Sequence, residues 1–274
     1  MARSSNEIAG EEVVGLMDIE LHREERLVLK NINLSIRRGQ HWVMLGPNGS
    51  GKSSLLSVLQ GYLWPIEGDI RVLGRHFGES DISEMRKQIG FVGNDIEPEF
   101  PSWQTVSDIA LSGGVGTVGI KFDQPSAADK KRALKLLKQA RIADLVDRPI
   151  TFLSQGQKRL VTIVRALMVK PGLLILDEPA GGLDPVAREE FLEKLALLMT
   201  PKARDEGGPV ILYVTHHVEE ILPSFTHVLL LKQGRVLAQG PIHRCLTATN
   251  LGKLFGRRVT VAKMEGRFSL RLTR

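Results

Sequence analysis

The chain has 274 residues, 42% hydrophobic and 25% charged, the balance of a globular protein with a real core and room for one large domain or two small ones. No apolar run approaches membrane-spanning length, Met1 to Glu7 hold no secretory stretch, and the lone Cys245 excludes an internal disulfide or a multi-cysteine zinc site, so a cytoplasmic location is expected. The formal charge of +6 lies wholly in the last 22 residues, where Lys253, Arg257, Arg258, Lys263, Arg267, Arg271 and Arg274 face only Glu265.

In chain order, Val13 to Leu16, Leu27 to Leu29 and the alternating Ile32 to Ile36 read as short strands. Trp42-Val43-Met44-Leu45 is a fully apolar strand leading into Gly46-Pro47-Asn48-Gly49-Ser50-Gly51-Lys52-Ser53. That spacing is a phosphate-binding loop. Its glycines let backbone N–H groups close on phosphate oxygens, Lys52 reaches the outer phosphates, and the Ser53 hydroxyl is placed for Mg²⁺. Ser54 to Leu59 opens a helix whose dipole faces the same phosphates. A nucleoside triphosphate is therefore the expected ligand.

Trp64 to Asp69 is turn chemistry, followed by strands at Ile70 to Leu73 and Ile89 to Val92. Thr105 to Leu111 suits a helix, Gly113 to Thr117 a flexible loop, and Ser126 to Val146 a basic amphipathic helix. Strand–helix alternation then returns. Leu173 to Leu176 and Val210 to Val214 are apolar on both faces, as central parallel strands require, with Pro185 to Leu198 a helix between them. An α/β nucleotide-binding core follows, its ligand at the carboxyl ends of the strands. The alternating segments Arg258 to Lys263 and Arg267 to Leu272 flank a Met264-Glu265-Gly266 turn, which predicts a terminal hairpin. Its charge reads either as a solvated face or as a contact for anionic lipid or nucleic acid.

Three further places carry chemistry. Asp177 and Glu178 end an apolar strand. One carboxylate, Asp177, suits Mg²⁺ through water, and the second, Glu178, suits the general base; an isolated pair would read as solvated charge. Ser154, with Gln157 three residues on, forms a capping box at the start of a helix, and the same geometry with Gly156 reads as a second anion site. Spacing does not choose between these. The seven histidines show no metal spacing, and the adjacent His216 and His217 would point apart in a strand or helix.

Gly46 to Ser53, Leu153-Ser154-Gln155-Gly156-Gln157, Leu173 to Glu178 with Pro179, and Gly182-Leu183-Asp184 followed by Val214-Thr215-His216 stand in order. Together they resemble the nucleotide-binding domain of ABC (ATP-binding cassette) ATPases. The resemblance implies a P-loop NTPase fold with a RecA-like core and an antiparallel β subdomain. It places the cassette at roughly 12–240, with a helical subdomain at 95–170 and a basic extension at 241–274. It also implies Mg²⁺-dependent ATP hydrolysis by a head-to-tail dimer. Each site would join Lys52, Ser53, Asp177 and Glu178 of one copy to Ser154 and Gly156 of the other, with Asp184 communicating between sites and His216 on the γ-phosphate.

Three positions depart from that pattern. Asn94 stands where the family carries a glutamine touching metal and permease, His22 or Arg23 where an adenine-stacking aromatic is usual, and Gln155 where glycine is common. With Leu251 to Gly256 and the basic hairpin, the Asn94 departure resembles a stand-alone bacterial subgroup of molybdenum-transport or photorepair type. The favoured reading is the ATPase subunit of a transporter with a separate permease. The alternative is a non-transport ABC ATPase acting on nucleic acid, the ribosome or protein assembly.

Overall fold

The computed structural model describes residues 10–93, 100–116, 125–199 and 208–273. Asn94 lies outside them. Among the described residues a six-stranded sheet runs in the order β10-β9-β3-β8-β7-β6. Its strands are β3 (Trp42–Leu45), β6 (Ile89–Gly93), β7 (Leu173–Asp177), β8 (Val210–Thr215), β9 (His227–Lys232) and β10 (Arg235–Pro241). All neighbours are parallel except β10, which closes one edge antiparallel to β9.

The central strands β3, β7 and β8 are buried on both faces, and strand alternation decides which core each residue joins. Val43 and Leu45 of β3, Leu174 and Leu176 of β7, and Ile211 and Tyr213 of β8 face one cluster with helices α3 to α6. Those helices are α3 (Val106–Val115), α4 (Ala127–Gln139), α5 (Gln155–Met168) and α6 (Pro185–Leu198). Trp42 and Met44, Leu173 and Ile175, and Leu212 and Val214 face the other cluster, with α1 (Lys52–Leu59), α2 (Ile82–Arg86) and an antiparallel sheet. That sheet runs β2-β1-β4-β5, from β1 (Glu12–Arg23), β2 (Arg26–Arg37), β4 (Glu67–Val72) and β5 (Arg75–His76).

The structure corrects several readings of the sequence. The segments around Leu27 and Ile32 are one strand, β2, with Asn31 at φ 49° inside it. Asn33 bridges to β1, its amide donating to Asp18 Oδ1 at 2.9 Å, so an irregular register is held by side chains instead of a turn. The amphipathic helix ends at Gln139, because Arg141 turns left-handed at φ 52° before a short 3₁₀ turn at Ala143–Leu145. Gly113 and Gly114 are helical. Helix α3 runs through them to Val115 and is capped by Gly116 at φ 76°.

Gly113 is a packing glycine, because a Cβ there would stand 2.1 Å from the Arg165 carbonyl oxygen on α5. Gly113→Ala is expected to cost about 1–3 kcal/mol by forcing the two helices apart. Calorimetry should show a midpoint lower by several degrees; an unchanged midpoint would contradict so close a crossing.

The chain ends in α7 (Ile242–Cys245), α8 (Ala248–Phe255) and a hairpin of β11 (Val259–Met264) and β12 (Arg267–Leu272). Positive φ at both Glu265 (48°) and Gly266 (81°) makes the two-residue turn whose twist matches a hairpin.

Candidate active site

Gly46 to Gly51 fall between β3 and α1, and Lys52 and Ser53 open α1. Gly49 and Gly51 take φ 74° and 105°, conformations that a side chain would strain, and Gly51 is the uncapped N-cap of α1. Gly46 allows close approach, since a Cβ there would meet Leu231 O at 2.4 Å and Ser50 Oγ at 2.6 Å. Ser50 Oγ is buried within this loop without a hydrogen-bond partner. Lys52 is 7% exposed, its ammonium donating to Gly46 O at 2.8 Å and Pro47 O at 3.3 Å.

Strand β7 ends beside this loop. Asn48, Gly49, Gly51, Lys52, Ser53, Ser54, Asp177 and Glu178 line one open cleft of about 400 Å³, with Val28 of β2 on its wall. His22 and Arg23 stand exposed at the end of β1 and do not line it.

Glu178 sits just past β7 at φ 47°, held by its own N–H on Val214 O at 2.9 Å. This turn aims its Oε1 at Lys52 Nζ, 3.6 Å away, and at His216 Nδ1, 3.1 Å away. His216 and His217 follow β8 in irregular backbone, where strand alternation no longer applies. Their rings therefore lie together, with centroids 4.0 Å apart, against the expectation that they would diverge.

Ser154 and Asp184 both cap helices and neither lines the cleft. Ser154 N–H donates to Gln157 Oε1 at 2.9 Å and Gln157 N–H to Ser154 Oγ at 3.3 Å, so the capping box is formed at the start of α5. Ser154 remains exposed. Gly156 follows in the first turn, where a Cβ would meet nothing nearer than 3.7 Å, so packing within the chain does not require a glycine. Asp184 accepts from Val186 and Ala187 N–H at 2.9 and 3.0 Å at the start of α6.

Sequence reasoning missed two supports of this site. Arg159 reaches from α5 to the carbonyls of Glu178 (3.2 Å) and Pro179 (2.7 Å), so the helix begun by Ser154 fixes the backbone carrying Glu178. Below His216, the buried Glu220 carboxylate accepts from Tyr213 Oη at 2.9 Å and Thr215 Oγ1 at 2.7 Å, and Thr215 Oγ1 accepts His217 N–H at 3.0 Å. Burial, and then the neighbouring Glu220 charge, push the Tyr213 phenol well above its ordinary pKa, so it stays a donor. An arginine on a helix and a second glutamate in Glu219-Glu220 carry no spacing signal that would have found them.

Comparison with known proteins places this geometry. The ABC transporter family pattern matches residues 29–181. The uncharacterized ABC transporter ATP-binding protein YlmA of Bacillus subtilis is 39% identical over 244 residues, covering 89% of this chain and 90% of that protein. CbiO1 from Clostridium perfringens, part of the ABC transporter complex cbiONQ, superposes with a TM-score of 0.75 at 30% identity, over 89% of this chain and 94% of that one. The dimeric structure of MJ0796, a bacterial ABC transporter cassette, gives 0.66 at 26% identity, over 84% and 98%. With a P-loop NTPase fold, a family pattern over more than half its length and a relative alike over about nine-tenths of both chains, this chain belongs to the ABC transporter family as one of its ATP-binding subunits.

Proposed function

We propose that this subunit hydrolyses ATP with Mg²⁺ in a head-to-tail homodimer and drives a separate membrane permease. The carrying observation is the half-built site. Lys52, Ser53, Asp177 and Glu178 share an open cleft, whereas Ser154 and Gly156 lie outside its walls. Ser154 is exposed at a helix N-terminus, and the chain's own packing gives no reason for glycine at 156. Both features suit a phosphate brought by a second copy, received on the N-terminal N–H groups of α5 and the Ser154 hydroxyl. Asp184, exposed at the start of α6, would face that copy. Dimeric MJ0796 and the cbiONQ complex support the two kinds of partner.

Within the cleft the loop amides and Lys52 would hold the phosphates, and Glu178 would take the proton of the attacking water. His216 Nδ1 would steady that carboxylate, with the ring placed for the γ-phosphate. Ser53 and Asp177 offer the hard oxygen donors that Mg²⁺ prefers, and the phosphates with water would complete its shell. Bound there, Mg²⁺ would neutralise charge developing on the phosphate oxygens.

For the permease, Trp103 and Phe152 stand 69% and 66% exposed on adjoining turns tied by Thr151 Oγ1 to Ser102 O at 3.2 Å. An aromatic pair so exposed suits a docking surface. The test is phosphate release from ATP by the purified protein. Removing divalent ions with EDTA should abolish turnover and added Mg²⁺ should restore it; turnover that survives EDTA would overturn the proposal.

A further inference from the structure

We propose that the C-terminal hairpin is part of the hydrolytic apparatus, with Arg267 a positioning residue that holds the His216 segment against α6. The inference rests on the ATPase reading above. Arg267 opens β12 and is three-quarters buried. Its guanidinium is bidentate on Glu189 of α6, with Nη1 to Oε2 at 3.1 Å and Nη2 to Oε1 at 3.3 Å. The same Nη2 also donates to the carbonyl oxygen of Glu219. Glu219 is tied twice, because its side-chain Oε1 accepts the Leu270 N–H at 3.3 Å. The hairpin turn seats on the same segment, where a Cβ at Gly266 would be 3.0 Å from Pro223 Cγ.

The connection to chemistry is short. Val218–Glu220 is one 3₁₀ turn directly after His216 and His217, and Glu220 is locked below by Tyr213 and Thr215. Helix α6 begins at the Asp184 cap, five residues before Glu189. One planar guanidinium thus joins the helix carrying Asp184 to the turn carrying His216. A fork on a carboxylate fixes direction as well as distance, which a lysine's point charge cannot do. Releasing Glu219 lets the turn shift. The His216 Nδ1 to Glu178 Oε1 contact, already 3.1 Å, does not survive a displacement near an ångström. The loop amides and Lys52, which would hold the phosphates, lie between β3 and the first turn of α1, outside this linkage.

Arg267→Ala is therefore expected to lower kcat on the order of tenfold with KM for ATP unchanged, the signature of lost transition-state positioning. Amide hydrogen exchange over 216–221 should rise in the same protein. Arg267→Lys should fall between parent and alanine, and Glu189→Gln, a milder change on an exposed helix face, should move both readouts the same way. ATP stoichiometry confirms that each variant is folded. If either kcat or exchange stays at the parent value in both Arg267→Ala and Glu189→Gln, the proposal is overturned. Glu178→Gln run alongside separates the two claims. A parent protein that releases no phosphate from ATP refutes the ATPase reading, and a parent rate that Glu178→Gln leaves intact removes Glu178 as base, whereas a normal Glu178 response with an unaltered Arg267→Ala rate refutes the hairpin's role alone.

Discussion

Replacing Glu178 by glutamine should lower ATP hydrolysis by roughly 10²–10⁴-fold while ATP still binds. Gln keeps the length and planarity of the side chain but loses the negative charge that faces Lys52 and His216, and with it the capacity to accept a proton. The backbone that aims it stays as it is: the Glu178 N–H on Val214 O, and Arg159 on the carbonyls of Glu178 and Pro179. Glu178 adopts φ 47°, an uncommon conformation outside glycine, so the turn is held by its surroundings and not by local preference. Single-turnover phosphate release measures the chemical step directly. A glutamine variant at the parent rate would remove Glu178 from the role of base.

Lys52→Ala should weaken ATP binding by roughly 10²-fold or more. The ammonium is 7% exposed and is shared between two loop carbonyls and the Glu178 carboxylate at 3.6 Å, so it is already desolvated and aimed into the cleft. A hydrogen bond to a charged group contributes about 1.5–3 kcal/mol, and two such bonds to phosphate oxygens account for the expected loss. Titration calorimetry reads it as a raised Kd with the fold intact. Unchanged affinity would mean that the loop amides alone hold the phosphates.

What was legible in the sequence was what is local. The phosphate loop could be read because its glycines answer to backbone conformation at fixed offsets, and Gly49 and Gly51 do take positive φ. The strands of the core could be read because burial on both faces leaves an unbroken apolar run, as at Leu173 to Leu176. The Ser154 to Gln157 spacing announced a capping box, and the box forms; the same spacing also reads as an anion site, and spacing alone does not choose between the two. Glycine misled at Gly113, where composition suggests a loop but the residue serves a helix crossing. Arg159, Glu220 and Arg267 were missed because their partners come from folding, as with the 78 residues that separate Arg267 from Glu189. The same bridge accounts for one cation of the basic terminal segment as an internal tie.

The central claim is that two copies of the chain enclose ATP between the cleft of one and the α5 N-terminus of the other. Analytical ultracentrifugation of the Glu178→Gln protein tests it most directly, because ATP persists there unhydrolysed. With saturating Mg·ATP the account predicts a species of twice the 30.3 kDa chain mass, which reverts to monomer with ADP and fails to form when Gly156→Arg is added. A Glu178→Gln protein that binds ATP and remains monomeric would contradict it.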